Sequence, residues 1–256
     1  MTSSTPPAAP ALRLVLTSLL RADFLVFLKH RRALVISMVL PVFVLLSTSG
    51  NKATHRFGGA EFVIGLAISY GLLSTAMIGY ALTVARDREK GVFQRLRVTP
   101  APTWTIMTSR LAMQVVANLI IAIGVVIVGS AIHHISPSVG QYALVLLVSI
   151  LAGAVFLSLA QALVGLVKSA DTVQAVARVL FAVLILLGIL GQSGALGGFW
   201  SAVARWTPVG AVMTLFAGVL NLHSWYSRDT LSLLACGGYI VVFAGIGIRW
   251  FQWDAR

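Results

Sequence analysis

The feature that most constrains this chain is a series of apolar runs too long and too poor in charge for a water-soluble core. Ala33 to Ser49 and Gln141 to Val167 contain no Asp, Glu, Lys or Arg. About 17 to 25 helical residues cross roughly 30 Å of hydrocarbon, so runs of this kind read as membrane spans. Six qualify: Ala33 to Ser49, Phe62 to Ala85, Trp104 to Ile132, Gln141 to Val167, Val173 to Leu196 and Leu231 to Trp250. The expected fold is therefore an all-α membrane protein of six transmembrane helices. Composition agrees, with 58% hydrophobic and 10% charged residues, against roughly 45 to 50% and 25% in soluble domains.

A further apolar stretch, Trp206 to Leu220, is only 15 residues long and opens on Trp206-Thr207-Pro208. With Gly194, Gly197 and Gly198 supplying a break before it, it reads as a re-entrant segment ahead of the sixth span. At the other end, residues 1–11 are uncharged and rich in Ser, Thr, Pro and Ala. They lack the charged start and cleavage site of a signal peptide, and are expected to form a disordered cytoplasmic tail. Residues 12–32 mix Leu16, Leu20, Phe24 and Phe27 with Arg13, Arg21, Asp23 and Lys29, as an amphipathic helix lying in the interface would. Residues 33–256 form the six-span domain.

The formal net charge is +12, but the basic residues sit between the spans instead of on one face, which argues against nucleic-acid binding. Lys and Arg collect in short cytoplasmic loops. Placing the N-terminus inside puts fifteen basic residues on the cytoplasmic side and four outside, namely Lys52, Arg56, Arg205 and Arg228. Trp104, Trp250 and Trp253 then fall at the inner interface and Trp200, Trp206 and Trp225 at the outer one, where amphipathic rings prefer to lie. Both termini are expected to be cytoplasmic, in an inner (plasma) membrane. Cys236 is the single cysteine, so no disulfide or thiolate metal cluster forms within the chain, and the residue reads as apolar packing.

The loop after the second span reads Arg86-Asp87-Arg88-Glu89-Lys90-Gly91-Val92-Phe93-Gln94-Arg95-Leu96-Arg97-Val98-Thr99-Pro100. Val92 and Leu96 are one helical turn apart with Phe93 beside them, and Pro100 and Pro102 stop the helix. A short helix offering an apolar trio inside a rim of charge suits a groove on a partner protein. As a cytoplasmic loop it would be basic in any case.

Arg-Glu-Lys-Gly, an apolar pair, then Arg-Leu-Arg-x-Thr-Pro resembles the coupling segment of type-2 ABC exporter permeases, the drug and antibiotic efflux group that includes daunorubicin-type exporters. The resemblance extends along nearly the whole chain, through the interfacial helix, the six spans and the broken Pro-containing segment from Phe199 to Leu220. It departs at Ala204-Arg205-Trp206-Thr207, where a small polar residue beside the proline is expected. It implies a dimer of two permease subunits, identical or not, above two separate ATPase subunits that hold ATP and Mg. This chain would need no cofactor and would not itself be an enzyme, and its sequence contains no Gly-x-x-x-x-Gly-Lys-Ser/Thr phosphate loop. The ATPase-coupling residues implied are Arg86, Glu89, Gly91, Val92, Phe93, Arg95, Leu96 and Arg97, and the outer gate is Trp206 with Pro208.

Polar residues within the spans are the remaining candidates. Gln114, Asn118, Gln161 and Gln192 either bond helices together, at about 0.6 kcal/mol each, or line a path. Arg178 lies about two turns into the fifth span, and Asp171 and Gln174 share its helix face, so an Asp171–Arg178 pair is expected. Glu61 sits at the outer end of the second span as a helix N-terminal charge. The adjacent His133 and His134 lack the one-turn spacing of a shared metal site, so no metal is expected.

Two other classes compete. Gly191-Gln192-Ser193-Gly194 looks like the nucleophile turn of rhomboid intramembrane serine proteases, yet the last span holds no His or Lys to act as base. A passive channel matches the composition but leaves the coupling-like loop without purpose. Apolar and aromatic spans favour an amphipathic drug, antibiotic or lipid-like substrate, with polysaccharide export the runner-up.

Overall fold

A computed structural model describes residues 17, 18, 21, 31–50, 54, 58–92, 103–193, 197–222 and 225–250. Among these, every element is helical. We number them α1 (Arg31–Ser47), α2 (Ala60–Glu89), α3 (Thr103–His133), α4 (Val139–Leu166), α5 (Ala170–Ser193), α6 (Gly197–Arg205), α7 (Pro208–Leu220) and α8 (Ser227–Trp250).

Helices α2, α3, α4, α5 and α8 are long and apolar enough to cross a membrane, and each overlaps one of the apolar runs, with α4 ending at Leu166 and α5 at Ser193. Two elements compete for the sixth crossing. Helix α1 has 17 residues with Pro41 inside it, a length of about 25 Å at 1.5 Å per residue. The α6 and α7 pair, bent by 82° across a short break, would serve as one broken span. The interfacial helix expected over residues 12–32 falls almost wholly outside the described residues.

Helix α2 has an internal irregularity. Ala60–Ser74 and Ala81–Glu89 are α-helical, but Thr75–Tyr80 between them is a π-helix, in which hydrogen bonds reach five residues along the chain instead of four. The span was expected to end at Ala85 and a separate coupling helix to follow. Instead the helix continues through Arg86, Asp87, Arg88 and Glu89, and stops where Gly91 takes φ 65°, a left-handed value that glycine adopts without a Cβ clash.

Local signals fix other ends. Ser138 accepts from the Gln141 N–H while the Gln141 side chain accepts from the Ser138 N–H, a reciprocal cap that starts α4. Thr207 caps α7 by accepting from the Gly210 N–H at 3.1 Å, with Pro208 in the first turn. The core is built from Leu45 of α1, Ile64, Ile68, Leu72 and Met77 of α2, Ile121 of α3, Phe156 of α4 and Met213 and Phe216 of α7, all fully buried. Helix α2 is thus enclosed by its neighbours, whereas α8 leaves Leu234, Val241, Val242 and Ile248 facing outward, as helices bordering lipid do.

Candidate functional site

The last turn of α2 places consecutive charges on three different helices. Asp87 Oδ2 pairs with Arg110 Nη1 of α3 at 2.5 Å. Arg88 is only 5% exposed, and its guanidinium donates to the carbonyls of Val164 (2.8 Å), Val167 (2.7 Å) and Lys168 (2.6 Å). These lie in the last turn of α4 and just beyond it, where carbonyls lack helical partners and the helix dipole is negative. Glu89 Oε1 accepts from the Ala170 N–H at 2.6 Å, at the positive start of α5. Adjacent residues of opposite sign therefore serve opposite helix ends across one turn, residues 167–169. Successive helical positions point about 100° apart, which lets three neighbours in sequence reach three neighbours in space.

Sequence reasoning picked out Glu89 but not Asp87, Arg88 or Arg110. A signal existed: Ala81, Val84, Ala85 and Arg88 are all buried and follow the i, i+3, i+4, i+7 spacing of a core stripe. Arg88 continues that stripe although it is charged. Of the other coupling candidates, Arg86 is exposed and Gly91 and Val92 are half-buried. Phe93, Arg95, Leu96 and Arg97 lie outside the described residues.

Among the intramembrane polar residues, Asn118 and Gln161 make helix-to-helix bonds at the two ends of the π segment, and Gln114 bonds to Asn118 within α3. Thr75 Oγ1 donates to Asn118 Oδ1 at 2.8 Å, which also accepts from Gln114 Nε2 at 3.3 Å. Tyr80 at the other end of the segment donates to Gln161 Oε1 at 3.0 Å. Asn118 Nδ2 is buried without a partner and abuts Gly153, where an added Cβ would come within 2.6 Å of it. Gln174 is half-buried; the Gln192 side chain lies outside the described residues.

The expected Asp171–Arg178 pair is not formed. Both side chains are exposed, and no ion pair joins them. Seven residues span about 10.5 Å of helix, so sharing a face does not bring the charged atoms together. Asp171 instead occupies the first turn of α5, where a carboxylate favours the dipole.

At the opposite end, the α6–α7 elbow brings Trp206 and Pro208 together. The Tyr239 hydroxyl of α8 donates to the Trp206 carbonyl. Gly210 lies so close to the elbow that a Cβ there would sit 2.1 Å from the Ala204 carbonyl oxygen. Gly191 packs on the Ala204 side chain in the same way, with 2.1 Å to an added Cβ, so it serves close helix approach instead of a nucleophile turn. Beside the elbow, a cavity of about 510 Å³ is bounded by the start of α2, by α7 and by the start of α8.

A family model described as ABC-2 type transporter matches residues 15–221. No curated protein matches the chain.

Proposed function

Because this chain belongs to the ABC-2 type transporter family, whose model spans most of its length, we propose that it is the permease subunit of an ATP-driven exporter. The observation that carries the mechanism is the Asp87-Arg88-Glu89 latch. On this reading the latch end faces the cytoplasm, consistent with the basic residues gathered there. Separate ATPase subunits, binding ATP and Mg, engage the segment that leaves α2 at Gly91.

Nucleotide can bias a transporter only through contacts that differ between two states. Force applied beyond Gly91 would reach α3 through Asp87, α4 through Arg88 and α5 through Glu89 without intermediate loops. Val92 and Phe93 supply apolar docking, and Arg86 and Arg95 present charge to the ATPase. Two permeases, identical or different, would enclose the path, and an amphipathic substrate such as a drug, antibiotic or lipid-like molecule suits spans so poor in charge.

The test is to purify the tagged chain from its native membrane with whatever ATPase accompanies it, and to compare wild type with Glu89→Lys and Phe93→Asp. The expected result is an inserted, folded permease that loses ATPase recovery and vesicle transport. Full complex formation with wild-type transport in both variants would leave the segment as nothing more than a basic loop.

A further inference from the structure

We propose that the cleft beside the α6–α7 elbow binds a zwitterionic group, an ammonium with a phosphate or carboxylate a few atoms away. The cavity, at about 510 Å³, falls within the range of small-molecule sites, about 300 to 1,000 Å³. Its wall contains two carboxylates, Glu61 and Asp229, and two guanidiniums, Arg205 and Arg228. Among the described residues, none of the four forms an ion pair with another.

Arg205 and Arg228 are exposed while Asp229 is buried, so solvent screens the attraction between the unlike charges and local contacts decide where each one sits. Three of the four have a local contact of their own. Arg205 Nε donates to the Ser201 carbonyl at 3.2 Å. The Arg228 guanidinium sits 5.7 Å from the centre of the Tyr226 ring. Asp229 is 7% exposed, and its Oδ2 accepts from the Tyr226 N–H at 2.7 Å. Asp229 Oδ1 and both Glu61 oxygens accept no hydrogen bond from a described residue.

The cleft therefore presents both signs, pinned at separate places. A ligand of one charge would satisfy half of this and leave the other half facing it. A zwitterion satisfies both, its anion against the guanidiniums and its ammonium against Glu61 and Asp229. The rings of Phe62 and Trp206 on the same wall would add cation–π attraction for the ammonium and an apolar surface for an attached tail.

Such a group could arrive on a membrane lipid or on a soluble molecule. The proposal adds a ligand class to the exporter reading, but binding itself can be measured without transport. The full-length chain in a neutral maltoside micelle would be titrated with three single-tailed probes and followed by native mass spectrometry. Lysophosphatidylethanolamine carries both charges, lysophosphatidylglycerol the anion alone and dodecyltrimethylammonium the cation alone.

The expected result is at least a tenfold preference for the first probe. Glu61→Gln should abolish that preference by weakening the zwitterion and sparing the anion, and Arg205→Gln with Arg228→Gln should abolish it by weakening both the zwitterion and the anion and sparing the cation. Equal affinity for the three probes in the wild type, or a preference that survives both sets of substitutions, overturns the proposal. Tailless glycerophosphoethanolamine identifies the source: binding as tight as the tailed probe points to a soluble ligand, and binding tenfold weaker to a lipid. A cleft without preference in a chain that still recovers its ATPase would fail alone, and a selective cleft in a chain with no ATPase would leave the exporter reading to fail alone.

Discussion

At the Arg88 end of the bundle, three consecutive charged residues each hold a different helix, whereas at the Glu61 end four charged side chains share a cleft without pairing. The first arrangement spends its charges on the protein itself: Arg88 satisfies three carbonyls that α4 could not. The second ties three of its charges only to local groups and leaves all four lining a cavity. Charges of the first kind should matter for folding and for the transfer of motion, and those of the second kind for what the protein binds. The contrast can be broken or sharpened one residue at a time.

The largest effect is expected from Arg88→Met, which keeps the length of the side chain but strands three carbonyl oxygens. Hydrogen bonds from a charged donor are worth about 1.5 to 3 kcal/mol, so a loss on the order of 3 kcal/mol is expected in thermal unfolding of the detergent-solubilised protein. Arg88→Lys should recover only part of it, since an ammonium lacks the planar fork that spans Val164 and Lys168. An unchanged midpoint in Arg88→Met would remove the distinction between the two ends.

Gly210→Ala tests whether the pocket end is rigid in its backbone even though its charges do not pair with one another. The 2.1 Å approach to the Ala204 carbonyl forces the elbow to open, at a cost of about 1 to 3 kcal/mol. The measurement is again the unfolding midpoint, together with probe binding in the cleft. A smaller effect, about 0.3 to 1 kcal/mol, is expected from Glu89→Gln, which keeps an acceptor for the Ala170 N–H but removes the charge at the start of α5. Transport should fall by more than this stability change explains, because the latch is proposed to carry motion. A transport loss no greater than the stability loss would make Glu89 a helix cap and nothing else. Least of all, Glu61→Gln and Arg228→Gln should each shift the midpoint by under about 0.5 kcal/mol, as changes at surface sites do. A larger shift would mean that the cleft charges are structural after all.

The spans were legible because lipid imposes a length on every crossing, and Ala33 to Leu196 contains little else that could meet it. The start of α4 was also written locally, in Ser138 and Gln141 three residues apart. The latch was not, because a basic residue after a span has an ordinary explanation, and nothing within Arg86 to Lys90 distinguishes Arg88 except its phase against Ala81 and Val84. The Asp171–Arg178 pairing failed for a complementary reason: helical phase shows which side a residue faces but not whether two side chains can span the two turns between them. The cleft was hidden because Glu61, Arg205 and Asp229 come from three separate parts of the chain, and only the elbow after α6 brings them to one wall. Its sharp bend was foreshadowed by Pro208 and the glycines before it.

The π segment of α2 keeps the two halves of one helix in phase across an extra residue. One added residue in a helix turns everything beyond it by about 100°, and the π turn from Thr75 to Tyr80 absorbs a residue of that kind between the core-facing half and the latch. Deleting a single residue there would close the π turn into regular α-helix and leave both the apolar stripe above and Arg88 below in place, whereas the same deletion between Ala81 and Arg86 would swing Arg88 about 100° off the α4 carbonyls. A relative lacking the π turn would keep the same contacts with one residue fewer, and an alignment drawn through this segment without a one-residue gap would compare the wrong residues on one side of it.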